Sequence, residues 1–203
     1  MTLAALFAAL GVLGIVGYLA VFIALHVLPT GYHAVHHAVS DYAIGAYGTL
    51  FRRGLYLSSI GLLLLTIGLC LNPGAPPLQV SDLVFLFLVP FMRVGMALFP
   101  TNLEGEKVSL RGLAHYAFAV AAFAFTYSAI SGLTSTLSNL PPWNAVSGLL
   151  SALHEIALIS LILVVITLIP RLRKVFGLFE RVFLVSTNVW FVVGGVCLIN
   201  AKL

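Results

Sequence analysis

Charge is what this 203-residue sequence has least of: Asp, Glu, Lys and Arg make up 8% of it, with six acidic residues in all. A soluble domain carries about a quarter charged residues, so a separate water-exposed catalytic or nucleic-acid-binding domain is excluded. Cysteine is scarce as well. Cys70 and Cys197 are the two present, which rules out a CxxC pair or a thiolate metal site. Low-complexity tracts and internal repeats are missing. No basic stretch precedes the first apolar run, which is also too long for the core of a cleaved signal, so it is read as a retained helix.

Apolar residues fill the space instead, at 61% of the chain with a mean hydropathy of +1.12. Six runs stand out: Leu3 to Leu28, Leu55 to Leu71, Leu83 to Phe99, Leu113 to Leu133, Val146 to Ile169 and Phe179 to Ile199. A bilayer core of about 30 Å needs about 20 apolar residues per helix. The second and third runs are near that minimum. The expected fold is all-α, a bundle of six transmembrane helices with short loops, and residues 1–203 form a single integral-membrane domain.

The basic residues give an orientation. Arg52 and Arg53 end the first gap, Lys107 and Arg111 lie in the third, and Arg171, Arg173, Lys174 and Arg181 lie in the fifth. The second and fourth gaps have none. Short loops rich in Lys and Arg stay in the cytoplasm, so loops one, three and five are expected there and both termini outside, with Lys202 alone dissenting. This pattern also accounts for the pI near 9.3 without a nucleic acid partner.

The basic-poor gaps read as tight turns, one over Asn72 to Pro77 and one over Asn139 to Trp143, with Trp143 suited to the headgroup boundary. Gly54, Gly61 and Gly68 recur on the second helix, and Gly11, Gly14 and Gly17 line the first. Small residues let helices approach closely in lipid, so packing is their expected role. Cys70 and Cys197 fall near the same end of their helices. They are either a disulfide pair or, as favoured here, two small buried hydrophobes.

Chemistry, if present, lies toward the cytoplasmic side. If the first gap is helical, His33, His37 and Asp41 stand at i, i+4 and i+8, with His36 and Ser40 as a second pair. Such a face suits zinc or iron, or a histidine base oriented by Asp41. The plainer alternative is an interfacial helix whose histidines meet headgroups and water. Arg93 lies about 10 Å inside the membrane, counting 1.5 Å per residue from Pro100, and wants a partner such as Asp41 or Glu180. Thr101, Asn102, His115, Glu180 and Arg181 share that side. Asp41, Arg93 and His115 are expected to line one polar pocket. Deeper, His154-Glu155 and Asn188 come near mid-bilayer, and Glu155 is expected to face the bundle interior, with Asn188 as a hydrogen-bond donor to it.

The segments His37-Ala-Val-Ser40-Asp41-Tyr-Ala-Ile-Gly45-Ala-Tyr-Gly48, Leu98-Phe-Pro-Thr-Asn102, Arg111-Gly112-Leu-Ala-His115 and Gly177-Leu-Phe-Glu180-Arg181 follow in order along nearly the whole chain. On these the sequence resembles a bacterial and archaeal six-helix membrane family, domain of unknown function nine hundred ninety-eight. The resemblance implies the six-helix fold and marks Ser40, Asp41, His115, Glu180 and Arg181 as polar positions of that family; the expected location is the cell (inner) membrane. It implies no activity. Ala38 and Asn102 depart from the family's usual proline and aspartate. More loosely, the layout is similar to eukaryotic membrane proteins that regulate lipid asymmetry and autophagy, and to alkaline ceramidases, which are zinc hydrolases.

Three functions follow. First is a protein that binds a lipid headgroup or small anion in a cytoplasmic-side pocket, with Arg93, Arg111 and Arg181 supplying charge and His115 and Asn102 donating hydrogen bonds. Second is a zinc-dependent hydrolase of a lipid amide or ester, with His37, His115 and His154 as ligands and Asp41 orienting a water. Third is an accessory subunit that joins other membrane-protein chains. The first ranks ahead of the others.

Overall fold

The computed structural model describes residues 2–72, 78–102 and 107–201. Six helices carry the fold: α1 Leu3–Val27, α2 Gly48–Cys70, α3 Val80–Leu98, α4 Leu110–Leu137, α5 Ser147–Ile166 and α6 Phe176–Ile199. Each belongs to a segment long and apolar enough to cross a membrane, and no strand occurs among the described residues. The chain is an all-α, multi-pass membrane protein. Single 3₁₀ turns, Val39–Ala43, Trp143–Val146 and Arg173–Val175, lead into α2, α5 and α6.

The second and third helices are longer than their apolar runs. α3 has 19 residues, and α2 has 23 because Arg52 and Arg53 lie inside its first turns. Their long side chains reach back toward water from there. At the other termini, the Thr2 hydroxyl caps α1 by accepting from Ala5 N at 3.1 Å, and the Ser109 hydroxyl caps α4 by accepting from Gly112 N at 3.1 Å. Each satisfies a donor that the first helical turn leaves unpaired.

Each helix packs on its neighbour in sequence, and α6 returns to α1, which closes a ring; α2 and α4 also touch α6 across it. The tightest seam is α1 against α2, where the glycines do what their spacing suggested. A Cβ on Gly61 would stand 2.8 Å from Gly11 O and 2.9 Å from Ile15 N, and one on Gly68 would stand 2.9 Å from Ala4 O. Two backbones meet there with nothing between them.

The ends of the bundle differ. One end holds the C-termini of α1, α3 and α5 and the N-termini of α2, α4 and α6, and here the arginines and lysines gather; it is called the basic end below. Its core joins Tyr18, Phe22, Leu25, Val39, Tyr42, Phe51 and Leu55. A larger core, from Ala8 through Leu62, Leu133 and Trp190 to Leu198, fills the rest.

Two expectations change here. Trp143 does not face outward toward headgroups. It is buried, and its indole N–H donates to Gly194 O at 3.0 Å. Cys70 and Cys197 are unpaired, the first exposed and the second buried, so the small-hydrophobe reading fits Cys197 alone. The turn expected over Pro73 to Pro77, and Lys202, lie outside the described residues.

Candidate functional site at the basic end

The segment between α1 and α2 is not helical. Pro29 and the left-handed Gly31 (φ 78°) turn the chain back after α1, and only the 3₁₀ turn Val39–Ala43 is regular. The expected i, i+4, i+8 face of His33, His37 and Asp41 therefore does not form. His33 and His36 stack, with centroids 4.4 Å apart, and His37 Nδ1 accepts the backbone N–H of His33 at 2.9 Å. Ser40 and Asp41 are half-buried in the 3₁₀ turn.

This segment is held from α6. Leu178 N donates to Val35 O at 3.1 Å, and His36 Nδ1 bonds Lys174 O. Val39 N donates to Glu180 Oε2 at 2.6 Å. Arg181 does the most: Nη1 donates to His37 O at 2.7 Å and to Gly177 O at 2.9 Å, Nη2 donates to the Tyr42 hydroxyl at 3.3 Å, and Nε donates to His26 Nε2 at 2.7 Å. Its guanidinium carbon lies 5.7 Å from the Tyr42 ring centroid, a cation–π distance. His26 Nδ1 in turn meets Phe22 O at 2.7 Å. The donor must be Nδ1–H there, so Nε2 is free to accept from Arg181 and the imidazole is the neutral tautomer. Gly177 makes this docking possible, because a Cβ there would run into His37 O.

Glu180 and Arg181 are thus buried scaffolding. The Tyr32 ring packs edge-on against Tyr42 and His37. Burial raises the Tyr32 hydroxyl above the ordinary tyrosine range, with the Asp41 charge adding to the effect.

Arg93 is also buried, but its surroundings are poorer. Its Nη1 donates to the Ser58 hydroxyl on α2, and Tyr18 on α1 lies close enough to act on its charge. Neither Asp41 nor Glu180 pairs with it, contrary to expectation. Tyr18 itself lies within the fields of Arg93, Glu180 and Arg181.

His115 does not join Arg93. It is buried at the start of α4 with Nδ1 at 2.7 Å from Phe99 O. Asn102 Oδ1 accepts from Ser109 N at 3.0 Å and from Ser109 Oγ at 3.2 Å. Both residues tie down the connection between α3 and α4, while Arg111 is exposed and reaches Leu98 O at 3.4 Å. In place of the expected common pocket with Asp41, Arg93 bonds Ser58 and His115 bonds Phe99 O.

The deeper polar residues also differ. Asn188 is buried, but its Nδ2 donates to Leu184 O at 2.7 Å on its own helix, not to Glu155. Glu155 faces outward with its side chain 62% exposed. The reason is azimuth: α5 buries Leu150, Ala157, Ser160 and Val164, and Glu155 projects from the other side. His154 Nδ1 lies 3.4 Å from Glu155 Oε1, and its Nε2 is 3.1 Å from the Tyr127 hydroxyl. His37, His115 and His154 are not brought together. Among the described residues, no group of three His, Cys, Asp or Glu is placed to hold a metal ion.

Sequence reasoning missed Tyr18, His26, Tyr42 and Ser58. Each is a polar group in or beside an apolar run, and a polar tip there needs a partner, which was the available signal. At the far end, a cavity of about 30 Å³ lies among Leu62, Leu69, Leu133, Trp143, Trp190 and Leu198. It is apolar and has room for about one water, so it is a packing gap and not a ligand site.

A family model described as "Protein of unknown function (DUF998)" matches residues 12–197. Comparison with curated proteins and with solved structures found no match.

Proposed function

We propose, for a chain that belongs to the DUF998 family and takes no activity from that membership, that it binds an anionic lipid headgroup or small anion beside Arg93. One observation carries this. Arg93 is a buried guanidinium in a membrane-spanning helix, held by the Ser58 hydroxyl and close to Tyr18, and among the described residues no carboxylate forms an ion pair with it. A buried cation without a counter-charge is expensive, and a phosphate or carboxylate accepting its fork of N–H donors would remove that cost. Arg181 differs because its donors are already used. Arg93 lies five residues from the end of α3, about 7 Å at 1.5 Å per residue, within reach of a headgroup at the basic end. Exposed Arg111 supplies a second charge there, and Asn102, His115, Glu180 and Arg181 hold the surrounding backbone.

The test is lipid retention. Protein purified from vesicles of equal phosphatidylglycerol and phosphatidylethanolamine is expected to keep phosphatidylglycerol preferentially, by native mass spectrometry. Arg93→Gln should lower that retention about tenfold, the effect of losing one charge-assisted interaction, while exposed Arg53→Gln should not. Equal retention of both lipids, or an undiminished preference in Arg93→Gln, overturns the reading. Free phosphate protecting the detergent-solubilised protein against heat, with no lipid preference, would identify a small anion as the ligand.

The reading places the basic end in the cytoplasm of a cell with this protein in its inner membrane, and both termini outside. A phosphatase fused at the C-terminus is expected to be active, and a fluorescent-protein fusion there dark. The reverse pattern overturns the orientation. No observation favours the zinc hydrolase. Outward-facing Glu155 favours association with another membrane chain.

A further inference from the structure

We infer that two copies of this chain associate in the membrane through the outer face of α5, with their Glu155 carboxyl groups hydrogen-bonded to each other. α5 advances about 100° per residue. On that wheel Gly148, Ala152, Glu155, Ile159 and Ile162 fall on one stripe, diametrically opposite buried Leu150, Ala157 and Val164. All five stripe residues are exposed, and a Cβ added to Gly148 would meet nothing within 4 Å. Among the six spans α5 is the least covered by the rest of the chain.

Glu155 is the anomaly on this stripe. It lies eight residues from one end of α5 and eleven from the other, so about 12 and 16 Å from the helix ends. At that depth an ionised carboxylate facing hydrocarbon is costly, and a protonated one still has an O–H and a C=O to satisfy. His154 covers one oxygen edge, at 3.4 Å, and the rest of the group points away from the bundle.

A second copy answers this geometry directly. Copies in one membrane share an orientation, so a two-fold axis between them runs along the membrane normal and each residue meets its counterpart at equal depth. A carboxylic acid is its own complement, with one donor and one acceptor. Two Glu155 side chains at equal depth can therefore satisfy each other, where a different partner would need a matching polar group placed at that level. The turns on one side of Glu155 carry Gly148, Ser151 and Ala152. Small residues there let two helices approach closely, and interhelical hydrogen bonds then hold them.

The full chain in native membranes tests this, with Cys70 and Cys197 replaced by alanine. Ala152→Cys is expected to form a disulfide-linked species of twice the monomer mass on mild oxidation. Val120→Cys, on the exposed side of α4, should stay monomeric. Energy transfer between donor- and acceptor-labelled copies in phosphatidylcholine vesicles should weaken about tenfold in association constant with Glu155→Ala, the scale of one hydrogen bond between membrane helices. Glu155→Gln should retain association, because an amide also pairs with itself. Copies that stay single in vesicles, an Ala152→Cys product joined only to a different polypeptide, or equal cross-linking at Val120→Cys each overturn the proposal.

Discussion

Arg181→Ala is expected to free the 33–43 segment and to destabilise the basic end by about 3–5 kcal/mol, the cost of breaking a buried charged network from one side. The loss has several parts. His37 O loses its donor and the Tyr42 hydroxyl and ring lose their cation. His26 Nε2 loses the N–H it accepts. Glu180 keeps its bond from Val39 N but loses the cation beside it in sequence. Arg181→Lys keeps the charge and discards the planar fork that reaches several acceptors at once, so about 1.5–3 kcal/mol should still be lost. Thermal unfolding in detergent and protease sensitivity between residues 28 and 47 measure both. A lysine variant indistinguishable from the parent would show that the charge alone holds the segment.

Gly61→Leu should be strongly damaging. Its Cβ would meet the backbone of α1 at 2.8 and 2.9 Å, and neither Gly11 O nor Ile15 N can rotate away. Even Gly61→Ala must push α1 from α2, an overpacking cost of about 1–3 kcal/mol; leucine adds a side chain for which the seam has no space. Gly17→Ala is the contrast, since its Cβ would rest 3.5 Å from Leu57 Cδ1, an ordinary contact. Melting temperatures of the three variants should therefore order as Gly17→Ala, Gly61→Ala, Gly61→Leu from highest to lowest. Equal melting for all three would mean the α1–α2 seam is not close-packed.

These two cases show what the sequence could and could not convey. The six spans, the basic end and the glycine seam were legible because each depends on periodicity or composition along one helix. Of the polar positions marked by family resemblance, Glu180 and Arg181 organise the basic end. Their roles were not legible. The 33–43 segment looked helical from its histidine spacing, but its backbone groups are satisfied by α6, about 140 positions later, which no local pattern reports. Arg93 was assigned a carboxylate because depth alone suggested one. Depth is what counting gives, and azimuth is what decides partners. Glu155 illustrates this most plainly: its level in α5 was read correctly, and its direction was not, because both faces of α5 are apolar and give periodicity nothing to distinguish.

The ring closes late. The chain must extend about 140 residues beyond Val39 before Glu180 and Arg181 exist to receive it. At ordinary synthesis rates of about 5–20 residues per second, that is an interval of roughly 7–28 s. Throughout it α1 and α2 can already be paired through their glycine seam, while His26, Tyr42 and the carbonyl of His37 have no guanidinium. The final helix therefore acts as the latch of assembly, and a nascent chain stalled before residue 180 would present its first loop open to the quality-control proteases of the membrane.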